Sequence, residues 1–252
     1  MSAAGRLPPA DLAVVSGSGL AVVPAGAEVV DEFRYDELGW PASGVPGHAD
    51  RLLVADWPTP GRRPLRLLLA CGRCHLYEGR APRQVGRAVD DLVAAGVRGL
   101  LATNAVGALD PALDSGDAVV VTSVIDLQGA LHGPTRVLDV TDAHAAGRLA
   151  RALSPHLRGS VGRYVAVPGP QYETPTEAAW LRSFGEVVGM SAGVEVRAAR
   201  RHGLPVRVLS LVANRSGAVS DHAAVLGVAK LLETRLSAAL AALVAAVLEE
   251  PV

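Results

Sequence analysis

Three short motifs carry residue types that could do chemistry. Cys71-Gly-Arg-Cys74 spaces two thiols like a redox pair or half of a zinc site. No second cysteine pair follows, so zinc would need His48 or His75 from elsewhere in space, and two small buried residues read the same positions as well. Gly189-Met-Ser-Ala-Gly193 matches GxSxG, with Ser191 as nucleophile between a strand-like and a helix-like run. A triad then needs an acid and a later histidine; only His202 and His222 follow, with Glu195 and the badly placed Asp221 as the acids before His222. Ser16-Gly-Ser-Gly-Leu20 offers backbone N–H groups to an anion. It has Val22 where a dinucleotide fingerprint has its third glycine, no Walker lysine, and reads equally as a plain strand-end turn.

The elements that must position these motifs alternate. Apolar runs predict strands over 11–16, 51–57, 65–71, 97–103, 117–125, 161–167, 186–190 and 206–213. Helices are expected over 82–96 and 192–203, each ending in a glycine cap. Thr174-Pro-Thr-Glu177 supplies an N-cap, a proline at the first helical position and a capping-box acid, with Gly185 as the expected stop. From Asp221 to Glu250, apolar residues recur at helical spacing as one long closing helix. The alternation is α/β, and with no repeat or convincing linker the 252 residues are expected to form a single domain.

Composition narrows the function classes. Twenty-four basic against twenty-five acidic residues leave a net charge of -1, without the basic excess that nucleic-acid binding demands. No apolar run approaches the roughly 20 residues of a membrane span, the first residues lack a secretory h-region, and two cysteines make no disulfide framework. A cytoplasmic location is therefore expected. Lys230 is the only lysine and lies in an apolar-periodic segment, which argues against Schiff-base cofactors.

Further blocks complete an ordered series: Val45-Pro-Gly-His48, Gly72-Arg-Cys-His-Leu-Tyr-Glu-Gly79, Thr103-Asn-Ala-Val-Gly-Ala-Leu109, Gly169-Pro-Gln-Tyr-Glu-Thr-Pro175, Val188-Gly-Met-Ser191, Glu195 to Gly203, and Asn214. With Ser16 to Leu20 at its head, this series resembles the trimeric purine nucleoside phosphorylases and their methylthioadenosine phosphorylase relatives. The resemblance implies a three-layer phosphorylase/hydrolase-like fold, a central mixed sheet flanked by helices, and a homotrimer. It also implies phosphorolysis of purine nucleosides to free base and ribose 1-phosphate, with inorganic phosphate as co-substrate and neither cofactor nor metal.

By the same resemblance, Ser18, Arg73, His75, the backbone at Ala105 and Ser191 bind phosphate, and His48 closes over it. Hydroxyls, a guanidinium fork, imidazoles and an amide make a suitable anion shell. Tyr77 and Met190 contact ribose, with Val188 beside them, and His222 takes the 5′-hydroxyl. Glu173 accepts from the purine N1–H, Tyr172 packs on the ring and Asn214 donates to N7. Glu173, Asn214 and His75 are the catalytic set, and the Glu–Asn pair favours the 6-oxopurines inosine and guanosine.

The sequence also departs from the family pattern. Val106 and Ala108 stand where smaller residues are common, Ala213 and Arg215 flank Asn214 in place of threonine and lysine, and Cys74 replaces an aromatic. The 125–142 stretch is short and has no phenylalanine to reach a neighbouring subunit, leaving Leu131 or His132 as substitutes. A 5′-methylthio-nucleoside phosphorylase, a Ser191 hydrolase and a weakened nucleoside-binding relative are the alternatives.

Overall fold

The computed structural model describes residues 5–17, 19–59, 61, 63–131, 136–218 and 222–248, without the side chains of 130, 131, 222–225 and 229. The strands are β1 Leu12–Ser16, β2 Glu28–Arg34, β3 Arg51–Trp57, β4 Leu65–Cys71, β5 Leu100–Ala108, β6 Ala118–Asp126, β7 Arg136–Asp139, β8 Gly159–Ala166, β9 Val187–Gly189 and β10 Val206–Arg215. The helices are α1 Tyr35–Leu38, α2 Pro82–Val85, α3 Arg87–Ala94, α4 Ala143–Leu153, α5 Pro175–Leu181, α6 Gly193–Arg201, α7 His222–Leu231 and α8 Glu233–Leu248.

All ten strands join one mixed sheet in the order β10-β6-β8-β9-β5-β1-β4-β3-β2, with β7 on β6. Because β10 also pairs in parallel with β5, the strands β5, β10, β6, β8 and β9 close on themselves. From β5, the strands β1, β4, β3 and β2 extend as an open arm.

Three layers follow from the two-residue period of the central strands. Ala13, Val15, Leu52, Val54, Leu68 and Ala70 face one core, which they share with Val89 and Leu92 of α3 and Val196 of α6. Their neighbours Leu12, Val14, Leu53, Leu67 and Leu69 face the other, against Leu149 and Leu153 of α4 and Leu236, Leu240 and Leu243 of α8. Leu12, Leu52, Leu67, Leu68 and Leu69 are essentially inaccessible. Each such leucine contributes about 1.5–3 kcal/mol by leaving water.

Several elements differ from the sequence expectation. β5 begins at Leu100 and runs on to Ala108, so the Thr103–Leu109 block is mostly strand rather than a loop after one. β2 has no apolar run because it is an edge strand with only β3 for a partner, and its residues are exposed apart from half-buried Phe33. β7 arises in a stretch too polar to reveal it; α4 lies beyond the expected elements although Ala145, Ala146, Leu149, Ala150 and Leu153 recur at helical spacing, and it is started by Asp142, whose carboxylate accepts from the His144 and Ala145 amides. The 82–96 segment divides into α2 and α3 at Gly86. The closing helix divides at Leu232, although the Leu232 and Leu236 amides keep their helical acceptors, Val228 and Leu232. The capping box of α5 is formed as read, but the helix ends at Leu181, before Gly185. Among the described residues, no helix is long and apolar enough to cross a membrane.

Candidate active site

The carboxyl ends of β1, β4, β5, β9 and β10 meet around one cleft. Nine of the thirteen residues singled out for the site line it: His75, Tyr77, Ala105, Tyr172, Glu173, Val188, Met190, Ser191 and Asn214. Gly17, Val106, Gly107 and Gly189 complete the wall. Ser18 lies outside the described residues, as does His132, and the side chains of Leu131 and of His222, in the first turn of α7, are likewise not described.

One half of the site is built from buried, multiply bonded groups. Gly17 lies so close to β5 that a Cβ there would sit 3.2 Å from the Thr103 carbonyl oxygen and 3.7 Å from the Arg73 guanidinium. Arg73 therefore stands beneath the Gly17 turn, not among the residues that line the cleft. Its Nη1 lies 2.9 Å from Glu195 Oε1, in an ion pair with both side chains under 5% exposed. Its Nη2 donates to the carbonyls of Val15 and Thr103. Nε has no partner among the described residues.

The two histidines are held in different states of readiness. The Arg73 amide donates to His48 Nδ1 at 2.8 Å, so that nitrogen carries a lone pair and Nε2 carries the proton. His75 Nδ1 lies 3.0 Å from Glu78 Oε1, which also accepts from the His75 amide at 2.7 Å. With Nδ1–H directed at the carboxylate, Nε2 is left to exchange a proton or hydrogen bond with whatever enters the cleft. Burial pushes the Glu78 carboxyl up, but donation from His75 and from the Gly44 amide outweighs it and holds it at about 2. The His75 ring stacks on Tyr77 at 4.7 Å and meets His48 edge-on at 5.4 Å.

The floor under Met190 and Ser191 is fixed by two buried side chains. Tyr164 OH donates to the Ser191 carbonyl at 2.6 Å and accepts from the Ser191 amide at 3.1 Å. Burial raises this phenol above its ordinary range. Gln128 Nε2 donates to the Met190 carbonyl at 2.9 Å and the Val167 carbonyl at 3.2 Å.

The other half is more open. Glu173 precedes the α5 cap and is half-buried; its Oε2 accepts from Ser216 Oγ at 2.7 Å. Tyr172 is 38% exposed. Asn214 owes its place to a β-bulge: Val212 pairs with Val106 and Asn214 with Gly107, leaving Ala213 as the extra residue. The Ala213 carbonyl takes the Ser115 hydroxyl at 2.9 Å, and Asn214 Nδ2 donates to the Arg215 carbonyl at 3.2 Å. Val106 is buried against the cleft, while Arg215 reaches outward to the Pro111 carbonyl.

Two motifs resolve against their sharper readings. Cys71 and Cys74 are free and buried, and burial pushes their thiols up to about 11 and about 12, where the reactive thiolate is scarce. Ser191 has no elbow geometry: the positive φ of 61° falls on Ala192, and His202 is committed to Asp90 at 2.8 Å. Glu195, the acid a triad would draw on, is paired with Arg73.

Sequence reading passed over Glu78, Tyr164, Gln128 and Ser216. The His75-x-x-Glu78 spacing is that of a capping box and could have revealed the first. The other three have no local signal.

Comparison with known proteins identifies the family. The sequence model of the Phosphorylase superfamily matches residues 12–245. The chain is 36% identical over 246 residues to the purine nucleoside phosphorylase of Mycobacterium tuberculosis, covering 93% of this chain and 89% of that one. Among solved structures, a Schistosoma purine nucleoside phosphorylase in complex with hypoxanthine superposes with a TM-score of 0.75 at 27% identity, covering 94% of this chain and 90% of the other. A Schistosoma purine nucleoside phosphorylase in complex with guanosine gives 0.74 at 25%, covering 97% and 91%.

Proposed function

Because the chain belongs to the Phosphorylase superfamily, and within it to the purine nucleoside phosphorylases, we propose that it cleaves inosine and guanosine with inorganic phosphate. The observation that carries the proposal is the convergence of nine expected residues, from separated segments, on one cleft.

In this reading Ser18, His75, the Ala105 backbone and Ser191 bind phosphate, and His48 closes over it. Arg73 supplies positive charge from beneath Gly17, with Nε as a donor to spare. A phosphate oxygen bonds to C1′ as the bond from C1′ to the purine N9 breaks. The electron pair of that bond goes onto the purine, so catalysis consists of stabilising charge on the departing base. Asn214 donates to N7 and Glu173 accepts from N1–H. Tyr172 covers the ring, Tyr77, Val188 and Met190 hold the ribose, and His222 takes the 5′-hydroxyl. A single phosphorylase domain, a homotrimer and a cytoplasmic location belong to the same reading.

The protein incubated with inosine and phosphate is expected to release hypoxanthine and ribose 1-phosphate, with no release when phosphate is omitted. Base release without phosphate would sink the phosphorolytic mechanism. A panel of inosine, guanosine, adenosine and 5′-methylthioinosine reads the 6-position and 5′ preferences, and light scattering reads the trimer.

A further inference from the structure

We propose that Ser216 is a specificity-determining positioning residue, one that holds Glu173 as a correctly turned acceptor and so sets the preference for 6-oxopurines over 6-aminopurines. The inference rests on the reading of Glu173 as the base-recognition carboxylate.

Ser216 reaches Glu173 because the end of β10 and the start of α5 are locked together. Beyond the bulge at Ala213, the Ser216 amide donates to the Ala108 carbonyl at 2.9 Å, which fixes the backbone one residue past β10. Gly217 then turns with φ +80°, and a Cβ there would sit 3.1 Å from Pro175 Cα and 3.0 Å from Ala178 Cβ. Only glycine combines that φ with so close an approach. The turn therefore packs on the first turn of α5, directly after Glu173, and the Ser216 hydroxyl donates to Glu173 Oε2 at 2.7 Å.

The chemistry of that bond separates two kinds of base. An ionised carboxylate only accepts. A 6-oxopurine presents N1–H, a donor, and is matched. A 6-aminopurine presents a lone pair at N1 and is matched only by a protonated carboxyl. A hydroxyl donating to Oε2 fixes how the carboxylate is turned and leaves Oε1 free for N1–H. Ser216 touches neither sugar nor phosphate in this scheme, so its influence is confined to the base.

The experiment compares kcat/KM for inosine and adenosine at saturating phosphate in the parent protein, Ser216→Ala, Ser216→Thr and Glu173→Gln. Adenosine is followed as a competitor of inosine where its turnover is too slow to read. Loss of a hydrogen bond to a charged group predicts that Ser216→Ala lowers the inosine value by about tenfold. The adenosine value should change by less than about twofold, so the inosine-to-adenosine ratio falls by roughly the same tenfold factor. Ser216→Thr, which keeps the hydroxyl, should retain the parent ratio.

A parent-like ratio in Ser216→Ala overturns the proposal, whether both rates survive or both fall together. Glu173→Gln distinguishes the two levels of inference. If it leaves the ratio intact, the base-reading role of Glu173 fails; if it collapses the ratio while Ser216→Ala does not, only the role of Ser216 fails.

Discussion

The two halves of the cleft are built on different principles. At the phosphate end, Arg73, His75, Glu78 and Glu195 are buried or nearly so, and each makes more than one polar contact or sits in a tight ion pair. At the base end, Tyr172 is exposed, and Glu173 and Asn214 are each held by a single described hydrogen bond. Phosphate is one invariant ion, so its donors can be fixed in advance by the core. Bases differ at their edges, and a lightly tethered pair of side chains is what small changes such as Ser216 can retune. The contrast teaches that failure at the first end should weaken fold and activity together, while failure at the second should fall mainly on activity.

The largest expected effect falls at the phosphate end. Arg73→Ala leaves Glu195 charged and unpaired in the core, which should cost about 3–5 kcal/mol of stability in denaturant unfolding. The double replacement Arg73→Met with Glu195→Leu should recover much of that stability while remaining inactive. Activity in the double variant would show that the buried pair is scaffold only. A stable Arg73→Ala protein would break the contrast between the halves.

At the base end, Glu173→Ala and Asn214→Ala should each lower kcat/KM for inosine by about 10²-fold or more if they stabilise the departing base. Their unfolding midpoints should stay near that of the parent, because neither side chain is part of the core. Near-normal inosine kinetics in both variants would remove the assignment.

How far the sequence reveals this arrangement depends on whether a role is local. The phosphate turn, the His75 block and the Gly-Met-Ser segment are contiguous motifs whose chemistry is readable in place, and Gly17, His75, Tyr77, Met190 and Ser191 from them all line the cleft. The α5 capping box is equally local and is formed as read. Tyr164, Gln128 and Ser216 act across separations of 27, 62 and 43 residues, and a single tyrosine, glutamine or serine announces nothing about a partner so distant. The same holds for Arg73, whose motif suggests a cleft-lining fork but whose partner Glu195 draws it beneath Gly17. β2 escapes notice for a different reason: an exposed edge strand needs no apolar face, so no pattern marks it.

A smaller effect separates charge from packing around His75. Glu78 is held down to about 2 from an unfolded value near 4.5, so its contribution is present above about pH 4.5 and is lost as pH falls through about 2. Glu78→Gln should therefore be less stable than the parent at neutral pH, with the two acid-unfolding curves converging between those values. The KM for phosphate should rise by about tenfold, since the imidazole loses a charged hydrogen-bond partner. A constant gap between the curves down to pH 2 would mean that Glu78 stabilises by packing instead.

The smallest effect tests how loosely the base end is tethered. Thr174 accepts from the Glu177 amide at 3.3 Å, and Glu177 in return accepts from the Thr174 amide at 2.8 Å, so this reciprocal cap starts α5 one residue beyond Glu173. Thr174→Ala should cost about 1 kcal/mol of stability, the usual worth of such a cap. Because the frayed turn carries Glu173 but no phosphate ligand, the KM for inosine should rise by a few-fold, about what a weakened hydrogen bond allows. The KM for phosphate should stay where it was. A matched rise in both constants would show that the two halves move together, and the contrast between a rigid phosphate end and an adjustable base end would have to be given up.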